Sequence, residues 1–114
     1  MSRRIDNPDQ SSTFSLKYPG EFSTKYGDGT TSNGSYFTDT FSISGTTLES
    51  LTMGLGQVTD NPYGLIGLGF PSIEAISQSS PDKVHPNLPF QLQRSNQISS
   101  TAYSLWLNDL RKCI

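Results

Sequence analysis

The chain has 114 residues, a formal net charge of −2, 32% hydrophobic and 16% charged residues, which is the length of one small domain with no composition shift to argue for two. No basic stripe is present to neutralise phosphates, so nucleic-acid binding is excluded. Ser, Thr, Asn, Gly and Pro are abundant, a composition of short strands joined by many turns, and it predicts an all-β chain with a thin core.

In chain order, Met1 to Thr13 reads as a polar, exposed lead-in with a turn signal at Asn7-Pro8-Asp9. From Phe14 to Lys25 the apolar residues Phe14, Leu16, Tyr18 and Phe22 fall on even positions, the alternation of a strand with one buried face, interrupted at Pro19-Gly20. Tyr26-Gly27-Asp28-Gly29 follows, and its Asp-Gly step is a strong hairpin signal. The return arm, Tyr36 to Ile43, is rich in aromatic and β-branched residues and stops at Ser44-Gly45. Together these predict one long hairpin with a glycine-flanked tip.

Leu48 to Val58 predicts a third strand, and the glycine-interrupted apolar run from Tyr63 to Pro71 suits a backbone pressed closely against another. Leu88 to Arg94 is the best helical segment, with an Asn87 cap, Pro89 in its first turn, and Leu88, Leu92 and Phe90 as inward-facing candidates. Tyr103 to Leu107 predicts a last strand.

Isolated features carry less. Cys113 has no cysteine partner and stands too close to the end for a prenylation box. Met1 to Gln10 holds two arginines and two aspartates with no apolar core, so neither a signal peptide nor a membrane span is read from this sequence. His85 has no second His or Cys at ligand spacing and reads as a solvated loop histidine, so no metal site and no cofactor are expected. Asn33-Gly34-Ser35 fits the N-glycosylation pattern and equally a turn.

The order of five blocks carries a resemblance: Ser11-Ser12-Thr13-Phe14; Tyr26-Gly27-Asp28-Gly29-Thr30 with Gly34; Asp39-Thr40-Phe41-Ser42-Ile43-Ser44-Gly45; Gly64-Leu65-Ile66-Gly67-Leu68-Gly69-Phe70-Pro71-Ser72; and Tyr103-Ser104-Leu105-Trp106-Leu107-Asn108-Asp109. In this order the chain resembles the middle and end of the N-terminal lobe of pepsin-like aspartic endopeptidases. Its aromatic-rich flap is similar to those of fungal branches such as the yapsins and candidapepsins. The resemblance implies an incomplete N-terminal lobe over 1–109, a divergent tail over 110–114, a flap hairpin and at most one or two short helices. It implies that an extended peptide or protein substrate is the partner, that Tyr26 and Leu65 border the pocket beside the scissile bond, and that Gly27, Asp28 and Gly29 form the flap tip, where backbone groups pair with the peptide. Ile66 and Gly67 would brace the catalytic loop. Tyr63 departs from the acidic residue usual before Gly64 in the family.

Hydrolysis in this family needs two carboxylates that share a proton, each from an Asp-Thr-Gly or Asp-Ser-Gly loop. The aspartates stand at 6, 9, 28, 39, 60, 82 and 109, and none begins such a triplet. No catalytic residue is therefore assigned. The resemblance places the first aspartate, with other N-terminal strands, upstream and the second in a C-terminal lobe. It also implies a secretory route, to the exterior, cell wall or vacuole. Two other readings remain compatible: a non-catalytic, protease-like peptide-binding module, and a secreted β-rich structural domain.

Overall fold

The computed structural model describes residues 8–61 and 63–106. Its centre is a three-stranded antiparallel sheet, β1 (Ser15–Lys25), β2 (Thr31–Ile43) and β3 (Thr46–Thr59), in that order, with β2 in the middle. Two short helices follow, α1 (Ile76–Ser79) and α2 (Leu88–Arg94), with single 3-10 turns at Pro71–Ile73 and Pro81–Lys83, and another at Pro8–Gln10 precedes the sheet. The β-rich expectation and the three strand positions match this architecture, and α2 has the bounds read from the sequence.

Both hairpin connections follow from local chemistry. At the first, Gly29 has φ of +89° and its N–H donates to the Tyr26 carbonyl at 3.0 Å. A side chain there would be strained, which is the reason for glycine. At the second, Ser44 and Gly45 both have positive φ, and Ile43 pairs with Thr46 across a two-residue loop. Such a primed turn matches the twist of the flanking strands.

The interruption at Pro19-Gly20 is a bulge: Tyr18 pairs with Tyr36 but Phe22 pairs with Gly34, so β1 uses four steps where β2 uses two. The Gly20 amide is satisfied by the Ser35 hydroxyl at 2.9 Å. Gly34 marks the closest strand approach. A Cβ at that position would lie 1.9 Å from the Leu55 carbonyl oxygen, so any side chain forces β2 and β3 apart.

Strand β2 is the most buried of the three strands. Tyr36 and Phe37 are 4% and 2% exposed, Phe14 stacks on Phe37 at 4.9 Å, and Phe22 meets Tyr36 edge-on at 5.3 Å. A second cluster joins Leu48 and Leu51 of β3 to Leu88 of α2, with Phe41, Met53 and Leu92 packed against it. Ile76 of α1 is fully buried.

Five expectations are corrected. The lead-in is not merely exposed: Ser11 donates to Asp39 Oδ2 at 2.7 Å and Thr13 donates to Oδ1, tying the chain to a buried carboxylate on β2. Between Tyr63 and Pro71 no other backbone presses on the glycines among the described residues: a Cβ at Gly64 or Gly67 would meet nothing within 4 Å, and one at Gly69 would meet only the Ile73 side chain, at 3.0 Å. Residues 103–106 form no strand, because no neighbouring strand pairs with them among the described residues. Asn87 precedes α2 but its side chain does not cap it; Nδ2 donates instead to the Gly69 carbonyl at 2.6 Å. The Asn33-Gly34-Ser35 triplet lies within β2 rather than in a turn. Met1 to Asn7, Leu107 and the tail over 110–114 lie outside the described residues.

Candidate functional site

The inner face of the sheet and the segment after β3 enclose an open cleft of about 1290 Å³. The hairpin and β3 contribute Phe22, Tyr26, Tyr36 and Met53 to its lining, and the glycine-interrupted run contributes Leu65, Ile66 and Gly67. Glu74, His85 and Leu88 complete it from the helical segment.

Tyr26 and Leu65, 39 positions apart in the sequence, thus border one cavity. Tyr26 is half-buried where β1 enters the turn, and its N–H donates to the Thr30 carbonyl at 2.8 Å. Leu65 is 61% exposed on an irregular stretch. Gly27, Asp28 and Gly29 form the exposed tip and do not line the cleft. Asp28 is committed to its own turn: Oδ1 accepts from the Thr30 hydroxyl at 2.6 Å and from the Thr30 amide at 2.9 Å. These two donors, the hydroxyl foremost, hold its carboxyl below the ordinary carboxylate range.

Just beyond this turn the start of β2 is pinned by Asp60, whose Oδ1 accepts from the Thr31 amide at 2.6 Å. Asp39, the aspartate followed by threonine, does not reach the cleft. Hydroxyls of Thr13 and Ser11 and the amide of Thr40 surround its carboxylate and hold its pKa below the ordinary value. Its three donors give it a structural role, anchoring the lead-in to β2.

Two cleft groups escaped sequence reading. His85 is not a solvated loop histidine: it is 9% exposed, packs edge-on against Tyr36 at 5.4 Å, and its Nε2 lies 3.2 Å from Glu74 Oε2. Burial pushes the Glu74 carboxyl up to about 7 and the His85 imidazole down. It also raises the Tyr36 phenol, with Glu74 adding to the effect. No pattern links positions 74 and 85, since an irregular segment with two prolines at 81 and 86 brings them together. Nearby, Lys83 Nζ bonds Glu21 Oε1 at 2.6 Å and lies 4.9 Å from the Tyr18 ring, fastening the same segment to β1. Among the described residues there is no group of three or more His, Cys, Asp or Glu side chains placed to hold a metal ion, and no helix is long and apolar enough to cross a membrane.

Comparison with known proteins identifies the family. The family model for eukaryotic aspartyl protease matches residues 2–113. The chain is 38% identical over 100 residues to the probable aspartic-type endopeptidase OPSB of Arthroderma otae, covering 88% of the chain and 21% of that protein. It is 41% identical over 105 residues to the corresponding opsB protein of Aspergillus fumigatus, covering 91% and 21%. To barrierpepsin of Saccharomyces cerevisiae it is 35% identical over 105 residues, covering 90% and 18%. The chain therefore spans about a fifth of the length of these curated relatives, all of them fungal. With nearly its whole length matched, it belongs to the eukaryotic aspartyl protease family.

Proposed function

We propose that this chain is the flap-bearing wall of the peptide-binding cleft in the N-terminal lobe of an aspartic-type endopeptidase, with residues 1–109 belonging to the lobe and 110–114 to a divergent tail. The observation that carries the reading is the shared cleft: a tyrosine at the hairpin end and a leucine from the glycine-interrupted run face one cavity. An extended peptide offers main-chain donors and acceptors, and a strand-like flap can pair with them without reading sequence. The backbone of Gly27 and Asp28 supplies that pairing, and Tyr26 and Leu65 enclose the side chain next to the scissile bond. The glycines on either side of Asp28 at the tip let the hairpin close as a lid.

The acid–base pair is not in this sequence. Asp28 is exposed at the tip and Asp39 is locked under Ser11 and Thr13, so neither is free to activate water in the cleft. The dyad comes from parts of the enzyme that flank this segment, and the chain alone supplies positioning without chemistry.

The test is a pair of preparations. The purified 114-residue chain is expected to show no pepstatin-sensitive peptide cleavage at any acidic pH. Barrierpepsin in which residues 2–109 of this chain replace the matching segment is expected to retain such cleavage. Activity in the purified chain that disappears on Asp28→Ala or Asp39→Ala substitution would overturn the reading. So would a folded chimaera that no longer binds pepstatin.

A further inference from the structure

The hydrogen-bond chemistry around His85 determines where its proton lies. Nδ1 is 3.3 Å from the Lys83 carbonyl oxygen, which can only accept, so Nδ1 carries the hydrogen. In the neutral ring Nε2 is then a bare acceptor. It faces Glu74 Oε2 at 3.2 Å, and the contact is favourable only if one proton sits between them, as a carboxylic acid donating to imidazole or as an imidazolium–carboxylate pair. Both groups are largely withdrawn from water, and the His85 ring rests on Tyr36, a buried residue of the central strand that also lines the cleft.

We infer that Glu74 and His85 share a single proton that latches the segment from Pro71 to Leu88 onto the cleft face of β2, making the shape of that cleft depend on pH. The latch is a property of the fold and operates whether or not the cleft receives a peptide. Other charged groups around it are already committed. Lys17, Tyr18 and Glu21 face it from β1, with Glu21 paired to Lys83, while Asp82 acts on Lys83 and Tyr36 meets it from β2.

The sign of the pH dependence comes from counting protons on the pair. When the segment lifts and both groups meet water, Glu74 titrates near its ordinary 4.5 and His85 near 6.5. Below 4.5 the open pair holds two protons against one in the latched pair, so acid opens it. Between 4.5 and 6.5 both states hold one, and closure is independent of pH. Above 6.5 the open pair holds none while the latched pair keeps its shared proton, so closure weakens again as pH rises. Each one-proton difference changes the opening equilibrium about tenfold per pH unit.

His85 is the chain's single histidine, so its ring C–H resonances report on the latch without ambiguity. The experiment combines an NMR titration of His85 with amide protection factors across 74–88 in the 114-residue chain at pH 3.5, 5.5 and 8. Highest protection at pH 5.5 is expected. Glu74→Gln, whose amide donates to Nε2 permanently, should abolish the alkaline loss and leave the loss in acid. His85→Phe, which keeps the ring on Tyr36, should abolish the acid loss. Unchanged pH profiles in whichever variant folds overturn the inference. So does a His85 that titrates as a free imidazole in the unsubstituted chain, folded or unfolded.

Discussion

The sheet and the segment that follows it treat similar residues in opposite ways. In β2, Tyr36 and Phe37 are buried by neighbours on both sides, and each hairpin closes through a turn whose chemistry is local. After Thr59, Leu65, Ile66, Phe70, Tyr103 and Leu105 are all more than half exposed although the sequence there is just as apolar. Antiparallel strands joined by tight turns can satisfy their backbone and bury one face within about fifty residues. A glycine-interrupted run has no such local partner and takes its shape from whatever packs against it. The first region is thus closed largely by its own local pairing, Ile76 and Leu88 of the second add buried contacts to it, and the glycine-interrupted run with residues 103–106 stays open.

That contrast can be broken at its strongest point first. Phe37→Ala removes a buried ring stacked on Phe14 and should lower stability by about 3–5 kcal/mol in chemical or thermal unfolding of the dilute chain. A loss under about 1 kcal/mol would mean that β2 is not the centre of the core. Gly34→Ala should cost about 1–3 kcal/mol, since the new methyl meets the Leu55 carbonyl and the strands must shift. Amide exchange along Thr31 to Ile43 would show the loosening, and unchanged protection would contradict the close approach.

Asp39 sharpens the comparison through pH. Its carboxyl is held below its ordinary 3.8 by Thr13, Ser11 and Thr40, so the unfolded chain binds that proton more readily than the folded one. The anchoring contribution is whole above pH 3.8 and is lost as pH falls through the depressed value. Asp39→Asn should flatten this acid limb of the stability curve. An acid limb identical in both proteins would remove Asp39 from the scaffold's account. The smallest effect belongs to the second region. Ile66→Ser or Leu105→Ser should change unfolding free energy by no more than about 0.5 kcal/mol, while reducing concentration-dependent self-association measured by light scattering. A large stability loss would show these side chains to be part of a core.

How much could be read in advance follows the same division. The alternation of Phe14, Leu16, Tyr18 and Phe22, the Asp28-Gly29 and Ser44-Gly45 turns, and Pro89 at the start of α2 are local signals, and each element formed where its signal stood. The expected packing at Gly64 and Gly67 and the strand at 103–106 depended on partners distant in the chain, and neither formed among the described residues. In the cleft, Tyr26 and Leu65 were legible through ordered motifs that span it. The Glu74–His85 contact was not, because residues eleven apart in an irregular segment leave no periodic trace. Asn87 shows the limit within a single residue: its backbone sits at the helix start as its type suggests, but a carbonyl 18 positions away competes successfully for its side chain.

Specificity in the barrierpepsin chimaera reports whether Tyr26 and Leu65 form the wall beside the scissile bond. Cleavage of a mixed peptide library is compared for Tyr26→Ala, Leu65→Ala and, as an exposed control in β3, Gln57→Ala. Both wall variants are expected to change kcat/KM or the preference for the residue before the scissile bond by about tenfold, the scale of a partly lost apolar contact, while Gln57→Ala matches the parent. Indistinguishable kinetics and preference across all three variants would contradict it.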